Sequence, residues 1–268
     1  MQIHGFNKTT LLDYPGHLAC TVFTGSCQFR CPFCHNASLV LNPASQPVIP
    51  QEEVLATLKK RQHILEGVCI TGGEPTLQAD LPLFIEKIKA LGLHVKLDTN
   101  GDNPAMLKYL VGENLLDYVA MDIKNSPEHY GKSIGLPDFD LTQIRESVTF
   151  LKEGHVDYEF RTTVVRQFNK AEDFEAIARW LSGAKVYYLQ AFKDSGDLIA
   201  EHTFADAERE AGRPLPEPFD AAKAAAGILA AGVDAGNVGL SGYTKEEMEA
   251  LAEIVRKEIP EVHLRGID

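Results

Sequence analysis

The stretch GVCITGGEPTLQADLPLFIEKIKALGLHVKLDTNG, residues 67–101, decides the fold. It opens on a short apolar run, GVCIT, that ends at Thr71, and closes on a second, HVKLDT. Both have the length and the residue types of strands. Between them Leu81, Leu83, Phe84, Ile88 and Leu91 recur at helical spacing, so Leu81 to Leu91 reads as a helix. A strand, a helix and a second strand make one crossover unit of a parallel sheet. Each strand runs straight into a polar, glycine-bearing turn: Thr71-Gly72-Gly73-Glu74-Pro75 after the first, Asp98-Thr99-Asn100-Gly101 after the second.

The same alternation extends in both directions. Strands are predicted over HLACTVF (His17 to Phe23), DYVAMDI (Asp117 to Ile123), VDYEFRTTVV (Val156 to Val165) and KVYYLQ, ending near Gln190. Helices are predicted after Pro50 (QEEVLATLKKRQ), from Pro104 to Val111, from Leu141 to Glu153 and from Ala171 to Leu181. Repeated strand–helix alternation predicts an α/β fold with parallel strands. The sheet is either open or curled into a partial, six-unit (β/α)6 TIM-like barrel. The last third differs. Residues 203–219 are polar and Pro-bearing, and 220–231 (DAAKAAAGILAA) suit a helix. A final helix, Thr244 to Ile259, opens on a capping box of Thr244 and Glu247 and precedes a short apolar tail, VHLRGI. The expected organisation is a barrel domain over 1–200 and a C-terminal helical extension, 201–268, packed on it.

The chain has 268 residues, with 26 Lys+Arg against 38 Asp+Glu, a net charge of −12. That balance argues against a nucleic-acid partner, which needs a basic surface. No apolar run reaches the roughly 20 residues that span a bilayer, and MQIHGFNKTTLLDYPG has no signal-peptide core. A cytoplasmic protein without membrane contact is expected.

Five cysteines, Cys20, Cys27, Cys31, Cys34 and Cys69, all fall in the first quarter of the chain. An odd, clustered set without an export signal is not a disulfide framework. Cys20 and Cys69 lie inside apolar strands and read as core. Cys27-Gln-Phe-Arg-Cys31-Pro-Phe-Cys34 places three thiols within eight residues. Three soft ligands suit an iron–sulfur cluster or zinc. Zinc wants a fourth protein ligand, for which His35 is available. A [4Fe–4S] cluster on three cysteines leaves one iron open to a small molecule.

The CxxxCxxC spacing with Phe33 before the third cysteine, followed by GGEP, DTNG and Met121-Asp122-Ile123-Lys124 at successive strand ends, resembles the radical S-adenosylmethionine (SAM) enzymes. Asp13-Tyr14-Pro15-Gly16, Gly25-Ser26-Cys27 and Cys34-His35-Asn36 are similar to the glycyl-radical-enzyme activases, among them the pyruvate formate-lyase activating enzymes. The opening GFNKTTLLDYPG, the phrase YYLQAFKDSG and the closing HLRGID resemble the longer form of the anaerobic ribonucleoside-triphosphate reductase activating proteins.

The resemblance implies reductive cleavage of SAM and removal of a hydrogen from a glycine of a partner glycyl radical enzyme. An external one-electron donor such as flavodoxin or ferredoxin would feed the cluster. Cys27, Cys31 and Cys34 would ligate the [4Fe–4S] cluster. Phe33 would meet the adenine by face or backbone, the Gly72–Gly73 turn would let backbone approach SAM, and Glu74 would accept from its ammonium. Asp98, Thr99 and Asp122 would hold a monovalent cation beside the SAM carboxylate. Lys124 and Arg161 would offset negative charge there, and Asp13 and Tyr14 would contact the glycine loop. After the sixth strand, where the pyruvate formate-lyase activases carry a histidine near the ribose, this chain reads Leu189-Gln190-Ala191-Phe192. Gln190 is then the candidate ribose contact and Phe192 a stacking group. Three other functions fit parts of the pattern: an activase of a different glycyl radical enzyme such as pyruvate formate-lyase, a small-molecule radical SAM enzyme such as a 7-carboxy-7-deazaguanine synthase, and a zinc-binding interaction module.

Overall fold

The computed structural model describes residues 1–194, 196–200 and 239–267. The polar segment 203–219 and the Ala-rich helix expected over 220–231 lie outside the described residues. The fold is α/β. Among the described residues, the strands that pair are neighbours in chain order. All the observed ladders are parallel except the first. Two compact units divide the chain.

The first unit comprises Met1–Gln28, Ser38–Asp122 and Thr142–Glu159. Strand β1 (Ile3–Thr10) pairs antiparallel with β2 (Ala19–Thr24). Strands β3 (Gly67–Gly72), β4 (His94–Thr99) and β5 (Tyr118–Asp122) add parallel to β2 in turn. Helix α1 (Ala37–Leu41) follows the cysteine segment, and α2 (Gln51–Arg61), α3 (Leu81–Lys89) and α4 (Pro104–Gly112) are the crossovers. Local signals mark α2 and α4. In α2, Glu52 and Glu53 occupy the first turn and Lys59, Lys60 and Arg61 the last, which complements the helix dipole. In α4, Pro104 begins the helix and the Asn103 side chain accepts from the Met106 amide at 3.2 Å. Val22, Val68, Ile70, Val95, Leu97 and Val119 are fully buried along the strands. Cys20 and Cys69 are buried with them, and burial pushes the Cys20 thiol up to about 12.

Strand β1 has no counterpart among the sequence expectations. Its segment, IHGFNKTT, buries only its end residues Ile3 and Thr10, so it lacks an apolar run or a clean alternation.

The second unit comprises Phe29–Ala37, Ile123–Leu141 and Phe160–Asp268. Helix α5 (Tyr130–Ser133) lies in it, and α6 (Thr142–Lys152) returns to the first unit. Strand β6 (Asp157–Val164) begins on the last residues of the first unit and pairs parallel with β7 (Val186–Ala191). The tail VHLRGI is not loose: β8 (Glu261–Arg265) adds parallel to β7. Helix α7 (Ala171–Leu181) packs on α8 (Lys245–Val255). The capping box at Thr244 forms as expected: its hydroxyl accepts from the Glu247 amide, and Glu247 accepts from the Thr244 amide. Arg166 ties that helix start down, pairing with Glu247 and lying 4.2 Å over the Tyr243 ring.

In the first unit, parallel β2 to β5 direct Cys27, GGEP, DTNG and Asp122 to one end of the sheet. That is the end where open α/β sheets and barrels place their chemistry.

Candidate functional site

Glu74 is the hub of the first unit's strand-end turns. It is 1% exposed. Its Oε1 accepts from the Thr76 amide at 3.0 Å, the Thr76 hydroxyl at 2.6 Å and the Thr99 hydroxyl at 2.8 Å. Its Oε2 accepts from the Asn100 amide at 2.7 Å. Burial raises its pKa, and these four donors oppose the rise. One carboxylate thus locks the GGEP turn to the DTNG turn.

The two glycines before it are needed for backbone packing. Gly72 has φ +116, and a Cβ on Gly73 would stand 2.0 Å from the Ser26 carbonyl oxygen. The gap lets the Gly73 amide donate to Thr24 O and the Glu74 amide to Ser26 O, both at 2.8 Å. Ser26 itself sits at φ 68, an uncommon conformation for a residue other than glycine. Its amide donates to Leu39 O at 2.9 Å. The residue before Cys27 is therefore held from both sides. Asn100 reaches the thiol: its Nδ2 donates to Cys27 Sγ at 3.8 Å. Gln28 Nε2 donates to Asn100 Oδ1 at 3.2 Å and to Asp102 Oδ2 at 3.1 Å. Ser26, Gln28 and Asn100 are positioning residues, and of these sequence reasoning singled out neither Gln28 nor Asn100. The DTNG motif contained the signal for Asn100, since a short amide inside a turn has a backbone or side-chain partner to find.

Asp98 faces the other side of β4 from Thr99. It contacts the Lys96 ammonium, which also donates to Cys69 Sγ at 3.9 Å. Lys96 is 1% exposed. Asp98 stands opposite Ala120 in the ladder, which puts Asp122, two residues on, on the same sheet face. The hydroxyl of Thr99 belongs to the Glu74 network instead. Asp98 and Asp122 are brought to one face, and Thr99 is turned away. Lys96 is a further residue that sequence reasoning missed, and its signal was a lysine inside an apolar parallel strand.

Tyr14 lies at the opposite end of this ladder, and the Asp13 carboxylate reaches Thr21 in the middle of β2. Tyr14 is 3% exposed and packs on Gly67, the first residue of β3, and near Tyr118. Gly67 and Gly72 are separated by about 17 Å of strand at roughly 3.3 Å per residue. Burial pushes the Tyr14 hydroxyl well above its ordinary pKa, with the nearby acids Asp117 and Asp157 adding to the shift. Asp13 accepts the Thr21 hydroxyl. Packing on Gly67 sets Tyr14 apart from the GGEP and DTNG turns.

In the second unit, Cys31 and Cys34 share a tight turn, the Cys34 amide donating to Cys31 O at 3.0 Å. Aromatic packing fixes the segment. Phe29 meets Phe139 edge-on at 5.2 Å, and Phe33 packs at 5.3 Å from Phe168. Phe33 is 4% exposed, so of its two expected adenine contacts the backbone is the one left available. His35 stacks on Phe192 at 5.4 Å, and the Ala200 amide donates to Pro32 O at 3.0 Å. Gly135, at φ +71, comes so close that a Cβ there would stand 2.5 Å from Arg30 O. Arg161 accepts from the Ile123 amide through its carbonyl at 2.8 Å. Lys124 follows β5, and Gln190 lies on β7 between Thr163 of β6 and Arg265 of β8.

None of the five cysteines is in a disulfide. Three soft donors in one short segment, one of them already receiving an amide N–H, fit an iron–sulfur cluster. Among the described residues no three His, Cys, Asp or Glu side chains are gathered to hold a single metal ion. A cluster places each thiolate on a different iron, which is another geometry. No helix among the described residues is long and apolar enough to cross a membrane.

Known proteins place these features in a family. A protein of Methanocaldococcus jannaschii, provisionally named a glycyl-radical enzyme activating enzyme, is 31% identical over 202 residues, 73% of this chain and 82% of its own. A pyruvate formate-lyase-activating enzyme of Staphylococcus epidermidis is 28% identical over 162 residues, 56% of this chain and 64% of its own. Streptococcus suis SuiB shares the fold, with a TM-score of 0.57 at 12% identity; the match covers 92% of this chain and 48% of SuiB. The model of the Radical SAM superfamily matches residues 21–181, three-fifths of the chain. The chain belongs to the Radical SAM superfamily of enzymes.

Proposed function

We propose that this protein is a radical SAM activase that removes one hydrogen atom from a glycine Cα of a partner glycyl radical enzyme, and that the partner is an anaerobic ribonucleoside-triphosphate reductase. The observation that carries the activase reading is the similarity to the M. jannaschii protein along most of both chains. The GFNKTTLLDYPG, YYLQAFKDSG and HLRGID phrases favour the reductase as partner. When bound, a [4Fe–4S] cluster and SAM would supply one-electron reductive chemistry and the hydrogen-abstracting power the reaction needs.

The chain's own residues bind and orient. Cys27, Cys31 and Cys34 hold the cluster, and Asn100 supplies an N–H to the first sulfur. Such N–H···S contacts tune a cluster's potential. Glu74 Oε2 has a single donor and keeps capacity to accept from the ammonium of SAM. Its four donors hold the carboxylate rigid, which is the preorganisation a charged ligand needs. The Phe33 backbone, Gln190 and Phe192 serve the adenosine. Lys124 and Arg161 balance the carboxylate of SAM. An external one-electron protein donor supplies the reducing equivalent.

The test pairs the reconstituted, reduced enzyme and SAM with purified glycyl radical enzymes and reads the glycyl radical by electron paramagnetic resonance. A signal with the ribonucleotide reductase and none with pyruvate formate-lyase supports the full reading. A signal only with pyruvate formate-lyase reassigns the partner. Cleavage of SAM with no radical on any protein, but turnover of a small molecule, overturns the activase reading.

A further inference from the structure

Lys96 stands where the family resemblance expects a metal cation to act. Its side chain is 1% exposed, that of Asp98 12%, and the ammonium contacts Asp98 Oδ1. The two residues are two apart on β4, so they share a sheet face. Lys96 pairs in register with Cys69 of β3, and its Nζ lies 3.9 Å from that sulfur. The expected third cation ligand, Thr99, points to the opposite face and donates its hydroxyl to Glu74 at 2.8 Å.

A buried carboxylate needs a countercharge, and a buried ammonium needs a carboxylate. Here each satisfies the other. The lysine ammonium is a compact point charge. A metal cation bound at the same carboxylate would stand against it in a low-dielectric interior, where like charges repel strongly. The residues present do not fit a monovalent cation at Asp98.

We propose that Lys96 is a built-in cation: its ammonium neutralises Asp98, and the protein binds SAM without a monovalent metal ion at Asp98, Thr99 and Asp122. The inference rests on the SAM-binding reading above. One readout is therefore chosen to be independent of SAM.

The reconstituted protein is compared in potassium chloride, sodium chloride and tetramethylammonium chloride at equal ionic strength. SAM affinity is measured by equilibrium dialysis, and the thermal midpoint is measured without SAM. For the natural protein both should be the same in all three salts. In Lys96→Met, Asp98 loses the lysine ammonium, and SAM binding in tetramethylammonium should weaken by about tenfold or more. Potassium or sodium should restore it and raise the variant's thermal midpoint. The double variant Lys96→Met/Asp98→Asn should fold and be indifferent to salt, so the test survives failure of the single variant to fold. Loss of SAM affinity or of thermal midpoint by the natural protein in tetramethylammonium would overturn the proposal. So would a Lys96→Met protein that matches the natural one in every salt. If no salt supports SAM binding, the SAM reading fails, and the thermal midpoints alone decide the role of Lys96.

Discussion

Two turns of the molecule are fixed by opposite means. The GGEP and DTNG turns of the first unit are joined by one buried carboxylate that takes four hydrogen bonds. The Cys31–His35 segment of the second unit is held by rings: Phe29 on Phe139, Phe33 on Phe168 and His35 on Phe192. A polar lock is directional, and breaking one partner strands the others in a dry interior. Ring packing is less directional and yields to substitution by degrees. The first arrangement suits a site that must present a charge at a fixed point. The second suits a segment fixed by shape and packing rather than by one buried charge.

The largest effects belong to neither lock but to the proposed cluster cysteines. Cys27→Ala, Cys31→Ala or Cys34→Ala should each abolish the visible absorbance of the reconstituted protein and its SAM cleavage, while Cys20→Ala and Cys69→Ala retain both. Gly73→Ala comes next. Its Cβ would meet backbone, not a movable side chain, at 2.0 Å. We expect destabilisation of about 3 kcal/mol or more, read from urea unfolding. Glu74→Ala leaves four buried donors unpartnered and should cost about 2–4 kcal/mol. Phe33→Leu, in the ring-packed segment, should cost only about 1–1.5 kcal/mol. If Phe33→Leu proves as damaging as Glu74→Ala, the contrast between the two turns does not hold.

The smallest effect sharpens the same contrast at the surface. Arg166, and then the Thr244 amide, hold the Glu247 carboxyl at about 2 against an ordinary 4.5. A carboxyl lowered on folding contributes stability above its unfolded value and loses it as pH falls through the folded one. This contribution is thus complete above pH 4.5 and fades towards pH 2. Because the pair is exposed, Glu247→Gln should lower the thermal midpoint only slightly at neutral pH, and the difference from the natural protein should shrink on acidification.

The parallel strands and crossover helices were legible because they bury continuous apolar runs. Leu81, Phe84 and Ile88 mark one helix face, and Val95 and Leu97 mark a strand. The ends of the sheet were not. β1 is polar and half exposed, and β8 is five residues long and reads as a tail. Of the candidate site, the motif residues were legible because their types carry the chemistry. Ser26, Lys96 and Asn100 were not, because their importance lies in a backbone angle, a buried charge and an amide aimed at sulfur, none of which a one-dimensional pattern encodes. Asp13 and Tyr14 show the converse: a recognisable motif whose observed partners, Thr21 and Gly67, are structural.

The central claim is that Cys27, Cys31 and Cys34 carry a cluster that cleaves SAM. Its most direct test is product analysis after anaerobic reconstitution with iron and sulfide and reduction by dithionite. The account predicts methionine and 5′-deoxyadenosine in equal amounts from the natural protein and neither product from Cys31→Ala. A natural protein that binds zinc in preference to iron and forms no 5′-deoxyadenosine, or a Cys31→Ala protein that still forms it, would contradict the account.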